Sequence, residues 1–96
     1  MGKTNGRDTM RDNILDSAKS VINNRGNEYG PVEENWKRTA NILNGILDKK
    51  LKEPLSPADV GMIMIGVKMA RLCNTPEHRD TQIDIAGYSA LLSEVV

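Results

Sequence analysis

The chain has 96 residues, and its 13 lysine and arginine side chains are balanced by 13 aspartate and glutamate side chains, so its formal charge is zero. A neutral chain creates no strong field for nucleic acid or for an anionic membrane, and we expect neither as a partner. A single domain of this length buries a small fraction of its surface and has a thin core. Self-association would bury more surface, so we expect a homo-oligomer.

Cysteine usage and composition indicate the compartment and the fold class. Cys73 is the one cysteine and cannot form an internal disulfide, and no signal peptide precedes the first amphipathic segment, so we expect a cytoplasmic protein. Aromatic residues make up 3% of the chain, without phenylalanine, whereas methionine occurs five times. This composition favours packed helices over a sheet and predicts an all-α fold.

The N-terminal segment is polar and gives way to a helical pattern. Residues 1–8 lack apolar periodicity, which predicts a flexible leader, and residues 9–96 form the predicted single helical domain. Apolar residues recur at helical spacing from about Thr9 to Asn23, which predicts helix one. The sequence Asn24-Arg25-Gly26 supplies its expected stop signal.

Helix two is predicted to begin at Pro31, because proline suits the first turn of a helix. Glu33 and Glu34 follow, where the helix dipole favours acids. Ile42 and Ile46 widen its core stripe, and a break at residues 52–54 ends the helix. The stripe itself consists of Trp36, Ala40, Leu43 and Leu47.

Helix three has the strongest start signal, with Ser56 as the cap, Pro57 in the first turn and Asp59 three residues after the cap. It is predicted to run to about Cys73, and it is apolar nearly all round, which is typical of a central helix buried by the others. Helix four is predicted to start at a cap formed by Asp80 or Thr81 and to continue to the C-terminus. The connections are short, so we predict a compact four-helix unit with antiparallel neighbours.

Charged and aromatic residues lie on faces of the last two helices that packing alone would make apolar. Asp80, Asp84 and Tyr88 share one stripe of helix four, and Lys68 and Arg71 lie one turn apart on helix three. Antiparallel packing would bring the two cations toward the two acids. A carboxylate buried there without a partner would be costly, so each acid should meet a cation, a donor or a ligand.

Two interpretations of this cluster stay open. It is either a salt-bridged network that joins two helices, with Tyr88 as a packing residue, or a pocket for a nucleotide-like molecule. In the pocket, Lys and Arg would bind phosphate, Asp a ribose hydroxyl or base amine, and Tyr a base face. The start of helix two and the Arg25 to Tyr29 loop add further polar groups. The predicted ligand-binding residues are Lys68, Arg71, Asp80, Asp84, Tyr88, Arg25, Tyr29 and Asn35.

Metal and catalytic sites have weaker support. No histidine or cysteine cluster accompanies His78, so we expect no zinc site, and His78 is interpreted as a loop residue. A magnesium site would need several carboxylates that converge from two helices, and helix three offers cations instead. We therefore predict no catalytic residues, no metal and no cofactor.

A set of short motifs resembles a family of short phage and prophage proteins of unassigned function over roughly residues 14–92. These proteins are similar to the all-α nucleoside triphosphate pyrophosphatases of the MazG type, and this resemblance implies nucleotide binding between helices and assembly into dimers or tetramers. The motifs are Arg25-Gly26-x-x-Tyr29-Gly30, Asn35, Lys68-x-x-Arg71 and Asp80-x-x-x-Asp84-Ile85-Ala86-Gly87-Tyr88.

The chain departs from the MazG pattern at the metal ligands. MazG-type enzymes hold magnesium with E-x-x-E on one helix and E-x-x-D on the next. Here Glu33 and Glu34 are followed by Trp36 and Lys37, and Lys68 and Arg71 occupy the second set of positions. The departure argues against hydrolysis more than against nucleotide binding.

Three functional hypotheses follow. The favoured one is a phage-type protein that binds and sequesters a nucleotide or a nucleotide-derived phosphorylated signal, for instance one used in host defence. The first alternative is a MazG-like magnesium-dependent pyrophosphohydrolase, in which the metal ligands would be Glu33, Glu34, Asp80 and Asp84. The second alternative is a helical protein-interaction module whose charges are only structural.

Overall fold

The computed structural model describes residues 6–96, with side chains from residue 9 onward. This part of the chain forms four helices and contains no strand, which confirms the all-α prediction. The helices are α1 (Gly6–Tyr29), α2 (Val32–Ile46), α3 (Pro57–Asn74) and α4 (Arg79–Leu92). Residues 1–5 of the predicted leader lie outside the described residues, and α1 begins at Gly6 rather than near Thr9.

The end of α1 differs from the prediction. Asn24-Arg25-Gly26 does not stop the helix, which continues to Tyr29, so the predicted Arg25 to Tyr29 loop is wrong. The stop lies at Gly30, whose φ of 75° is readily adopted only by glycine, and Pro31 follows it. A glycine inside a helix, such as Gly26, costs only about 1 kcal/mol, so it weakens the helix without ending it.

The first turns of the other helices show which sequence signals decided the boundaries. At α3, Ser56 accepts a hydrogen bond from the Asp59 amide and Asp59 accepts one from the Ser56 amide, as predicted. At α4 the predicted cap was wrong, because His78 is the N-cap and its Nδ1 accepts from the Thr81 amide at 3.3 Å. The imidazole nitrogen is thus the N-cap acceptor, a role that a hydroxyl or carboxylate oxygen has in most helices.

The connection between α2 and α3 is held by one amide side chain. Asn44 accepts a hydrogen bond from the Leu55 amide at 2.7 Å and donates one to the Leu55 carbonyl at 3.2 Å. The backbone N–H and C=O of the loop residue Leu55 are thereby both satisfied just before Ser56. Residues 47–50 form a turn, so α2 ends at Ile46.

Packing is antiparallel where it was predicted. Gly61 of α3 lies beside Leu92 of α4, and Lys68 of α3 contacts Asp84 of α4, so residue numbers rise along one helix as they fall along the other. α4 also packs against α1, and α2 packs mainly against α3. The buried cluster at the centre consists of Trp36, Ala40, Val60 and Tyr88.

Two expectations about burial are wrong. α3 is not enclosed by the other helices, because one of its sides is exposed along its length, including Met62 and Met69 at 59% and 56% exposure. Ile42 and Ile46 of α2 are likewise exposed and do not widen the core stripe. α3 packs against α2 and α4, and two helices on one side leave the opposite side of α3 open. Among residues 6–96, no helix combines the length and the apolar character that crossing a bilayer requires.

The tightest contact between helices occurs at Gly61. A Cβ at this position would lie 2.6 Å from Cζ3 and 2.8 Å from Cη2 of Trp36, which is 5% exposed. The indole therefore lies against the backbone of α3, in space that no other residue type leaves open.

We expect Gly61→Ala to lower the free energy of unfolding by about 1–3 kcal/mol, because the new Cβ would overlap the indole and the packed ring would have to be displaced. Urea denaturation followed by circular dichroism measures the change. Gly45→Ala is the matched control, since no atom lies within 4 Å of its Cβ position, and it should cause no loss of stability. Equal effects of the two substitutions would contradict the close approach.

Candidate ligand-binding groove

A groove of about 370 Å³ opens between α1, α2 and the end of α4, and we refer to it as the α1–α2–α4 groove. Its volume falls within the range of about 300–1,000 Å³ that is typical of small-molecule sites. Apolar side chains such as Ile22 and Leu91 form part of its wall. Its polar and aromatic lining consists of Asn23, Arg25, Tyr29, Asn35, Trp36, Tyr88 and Glu94.

The continuation of α1 places two groove residues on one helix face. Arg25 and Tyr29 are four residues apart, so both side chains point from the same side of the helix into the groove. Ile22 and Gly26 lie on the same side and also line it. A helical position restricts the direction of these side chains more than the predicted loop would have done.

The guanidinium of Arg25 is the positively charged group of the groove. Its Nη1 donates a hydrogen bond to the Tyr88 hydroxyl at 3.2 Å, and its Cζ lies 5.6 Å from the centre of the Tyr88 ring. The hydrogen bond to Tyr88 raises the pKa of Arg25, although partial burial acts in the opposite direction. Arg25 is charged, as arginine is in any protein, and the bond to Tyr88 orients it while most of its N–H donors stay available.

The two tyrosines of the groove occupy different environments. Tyr88 is 8% exposed and packs against Trp36, with ring centroids 6.4 Å apart and planes inclined by 41°. Tyr29 is 58% exposed at the rim. The exposed ring of Tyr29 therefore has the free face that stacking on a base requires, whereas Tyr88 forms the floor and presents its hydroxyl.

Lys68 and Asp84 contact each other instead of opening into the groove. Lys68 Nζ lies 3.0 Å from Asp84 Oδ2, and the two side chains are 16% and 21% exposed. The prediction that helix three and helix four bring these charges together is therefore confirmed. Asp84 also contributes to the raised pKa of Arg25, behind the hydrogen bond to Tyr88. A void of about 10 Å³ beside Asp84 is too small for a ligand.

Arg71 and Asp80 are exposed. They neither line the α1–α2–α4 groove nor take part in the Lys68–Asp84 ion pair. Within the described residues, neither side chain forms an ion pair with the other or with a third residue, so the expected network of four charges is reduced to one pair. Of the eight predicted ligand-binding residues, the groove contains Arg25, Tyr29, Asn35 and Tyr88.

Acidic residues of the magnesium hypothesis are not brought together within residues 6–96. Glu33 and Glu34 are exposed in the first turn of α2, and Asp84 is engaged by Lys68. No group of three or more histidine, cysteine or acidic side chains in the described part of the chain could hold a metal ion.

Sequence patterns did not identify Asn23 and Glu94 as groove residues. Asn23 lies on α1 beside Ile22, but its position was assigned to the helix end. Glu94 lies two residues beyond the end of α4, so no helical periodicity relates it to Tyr88. Trp36 was interpreted as core, and it is both core and groove floor.

The chain is similar to phage proteins. Residues 13–96 match the family described as "Domain of unknown function (DUF6378)". The Gene 55 protein of Mycobacterium phage D29 is 36% identical over 87 residues, and that of Mycobacterium phage L5 is 36% identical over 83 residues. The alignments cover 90% and 85% of this chain but only 55% and 51% of the relatives, so the chain spans about half their length. No solved structure matches it. The resemblance to phage proteins of unassigned function is thereby confirmed.

We expect the Lys68–Asp84 pair to stabilise the fold, because removal of one charge leaves the other half-buried without its partner. A double-mutant cycle with Lys68→Met and Asp84→Asn, measured by urea denaturation, should yield a coupling free energy of about 0.5–3 kcal/mol. Arg71→Ala removes an exposed cation of the same helix and should change stability by less than about 0.5 kcal/mol. A coupling free energy near zero would mean that the two charged groups lie close together without stabilising the fold.

Proposed function

This chain belongs to the DUF6378 family, and we propose that it binds a small phosphorylated, nucleotide-like molecule in the α1–α2–α4 groove and keeps it intact. One observation carries this proposal. A groove of about 370 Å³ combines an oriented guanidinium, an exposed aromatic ring and amide side chains. These are the groups that recognise a phosphate, a base face and a base edge, respectively.

Arg25 supplies the phosphate contact in this proposal. A planar guanidinium can donate two parallel hydrogen bonds to phosphate oxygens, and Tyr88 already fixes its position. A preorganised donor loses little conformational entropy when the ligand binds. The role that the sequence assigned to Lys68 and Arg71 thus passes to Arg25, because Lys68 is engaged by Asp84.

The base is proposed to stack on Tyr29. Its ring is 58% exposed at the rim, and stacking on an aromatic side chain contributes about 1–3 kcal/mol for each base. Asn35 and Asn23 line the same groove and carry both a donor and an acceptor, as hydrogen bonding to a base edge requires.

Charge limits the kind of nucleotide. Within the described residues, the groove has one cation, Arg25, and one acid, Glu94, so its own charge is balanced. A triphosphate would need more cations or a bound metal ion to neutralise it. The groove therefore suits a nucleoside monophosphate or a cyclic phosphodiester better than a triphosphate.

Binding without hydrolysis agrees with the distribution of acidic residues. The MazG-like alternative would need metal ligands from Glu33, Glu34, Asp80 and Asp84, and in residues 6–96 these acids do not form a group that could hold a metal ion. A protein that holds a nucleotide without cleaving it lowers the free concentration of that nucleotide. For a chain with phage relatives, sequestration of a host signal in the host cytoplasm, including a defence signal, is the proposed use.

We expect Arg25→Gln to weaken binding of a nucleoside monophosphate by about 10- to 100-fold, because loss of a charged hydrogen bond costs about 1.5–3 kcal/mol. Isothermal titration calorimetry with adenosine and guanosine monophosphates, their cyclic forms and the triphosphates measures the affinities. Arg38→Gln is the matched control, since Arg38 is exposed on α2 and outside the groove.

The same titrations separate binding from catalysis. Recovery of intact ligand after incubation with magnesium is expected, whereas release of monophosphate from a triphosphate would favour the pyrophosphohydrolase. If no member of the nucleotide panel produces heat with a folded protein, the proposal is wrong, and the helical interaction module becomes the better hypothesis.

A further inference from the structure

The Lys68–Asp84 ion pair lies outside the groove, yet its acid is a neighbour of the groove's cation. Asp84 and Arg25 line the same void of about 10 Å³, together with Tyr88. Asp84 precedes Tyr88 by one turn of α4, so the carboxylate and the phenol project from one side of that helix. Arg25 therefore has two acceptors of α4 beside it, the Tyr88 hydroxyl and the Asp84 carboxylate.

Arg25 is bonded to the neutral acceptor of these two. Its Nη1 donates to the Tyr88 hydroxyl at 3.2 Å, whereas Asp84 Oδ2 lies 3.0 Å from Lys68 Nζ. A carboxylate would attract the guanidinium more strongly than a phenol does, because opposite charges add to the hydrogen bond. The pKa of Arg25 is raised mainly by the hydrogen bond to Tyr88, and the charge of Asp84 contributes to the same rise.

Lys68 explains why the carboxylate is not the partner of Arg25. An ammonium 3.0 Å from the carboxylate offsets much of its charge, so the pair attracts a second cation less than Asp84 alone would. The two side chains are 16% and 21% exposed, so salt screens this pair less than a fully exposed one. Arg71 is exposed and has no ion-pair partner among residues 9–96, so it does not share the task.

We propose that Lys68 is a positioning residue of the α1–α2–α4 groove, which keeps the Arg25 guanidinium on Tyr88 by occupying Asp84. Without the charge of Lys68, Asp84 would be a half-buried carboxylate with no partner, which is costly. Arg25 is the cation that shares its void, so the guanidinium would move to Asp84 and donate to it instead of to a ligand. This inference rests on the proposed function, which assigns the phosphate contact to Arg25.

The ion pair can be broken from either side, and the two substitutions should affect nucleotide affinity differently. Lys68→Met leaves Asp84 free to compete for Arg25 and should weaken binding of adenosine or guanosine monophosphate about 10-fold or more. Asp84→Asn breaks the same pair and removes the competing carboxylate, so the affinity should stay within about threefold of the wild-type value. Isothermal titration calorimetry of the full 96-residue chain measures both. A purely structural ion pair would make both substitutions weaken binding alike.

Two further variants and a control separate positioning from net charge. Lys68→Met combined with Asp84→Asn should restore the affinity, since no carboxylate is left to compete. Lys68→Arg should retain it, because arginine also pairs with a carboxylate. Arg71→Met removes an exposed positive charge from the same helix and should change the affinity less than about threefold, whereas long-range attraction of the phosphate would make it act like Lys68→Met. Circular dichroism checks that each variant is folded.

Nitrogen-15 NMR of the arginine side chains follows the guanidinium without a ligand. The Arg25 Nε–H resonance, assigned by its loss in Arg25→Gln, should shift in Lys68→Met and return toward its wild-type position when Asp84→Asn is added. A wild-type protein that binds no nucleotide contradicts the proposed function, while this resonance still tests the positioning. The role of Lys68 is overturned if Lys68→Met leaves the resonance unshifted, or if Lys68→Met and Asp84→Asn change the nucleotide affinity equally.

Discussion

The contact of the Trp36 indole with the backbone of Gly61 is the constraint on which the rest of the structure depends. It brings α2 against α3 so closely that a Cβ at Gly61 would overlap the ring. The same indole also packs against Tyr88 of α4, whose hydroxyl accepts the hydrogen bond from Arg25 of α1. One tryptophan, one glycine, one tyrosine and one arginine thus connect all four helices. A chain with few aromatic residues concentrates its packing at this junction.

The groove is a consequence of that junction. Trp36 and Tyr88 close its floor, and the hydrogen bond that joins α1 to α4 also orients the cation at its side. The two cations Lys68 and Arg25 differ in the groups that they contact. Lys68 is paired with the Asp84 carboxylate, whereas Arg25 donates to a neutral hydroxyl, so its charge is not neutralised by a bonded partner. A cation beside a carboxylate is largely neutralised, and a cation beside a phenol is not.

α3 shows the limit of what four short helices can bury. It is the most apolar of the four described helices, yet Val60 and Gly61 are its only buried residues. The side of α3 that faces α2 and α4 is packed against them, and the opposite side is exposed to solvent. A helix as apolar as α3 keeps an exposed apolar side when only two helices pack against it.

The sequence by itself determined the helical class, the Ser56 cap of α3 and the antiparallel approach of Lys68 to Asp84, because these depend on composition, local hydrogen bonds and helical periodicity. Only the tertiary structure decided that α1 continues through Gly26 to Tyr29, and that Arg25, Tyr29, Asn35 and Tyr88 share a groove while Arg71 and Asp80 do not. A glycine can be tolerated or can stop a helix, and the choice depends on what packs nearby. A side chain on the expected face of its helix makes a contact only where a neighbouring helix extends alongside it. Such distances between helices are properties of the packed molecule and have no counterpart in a pattern along one chain.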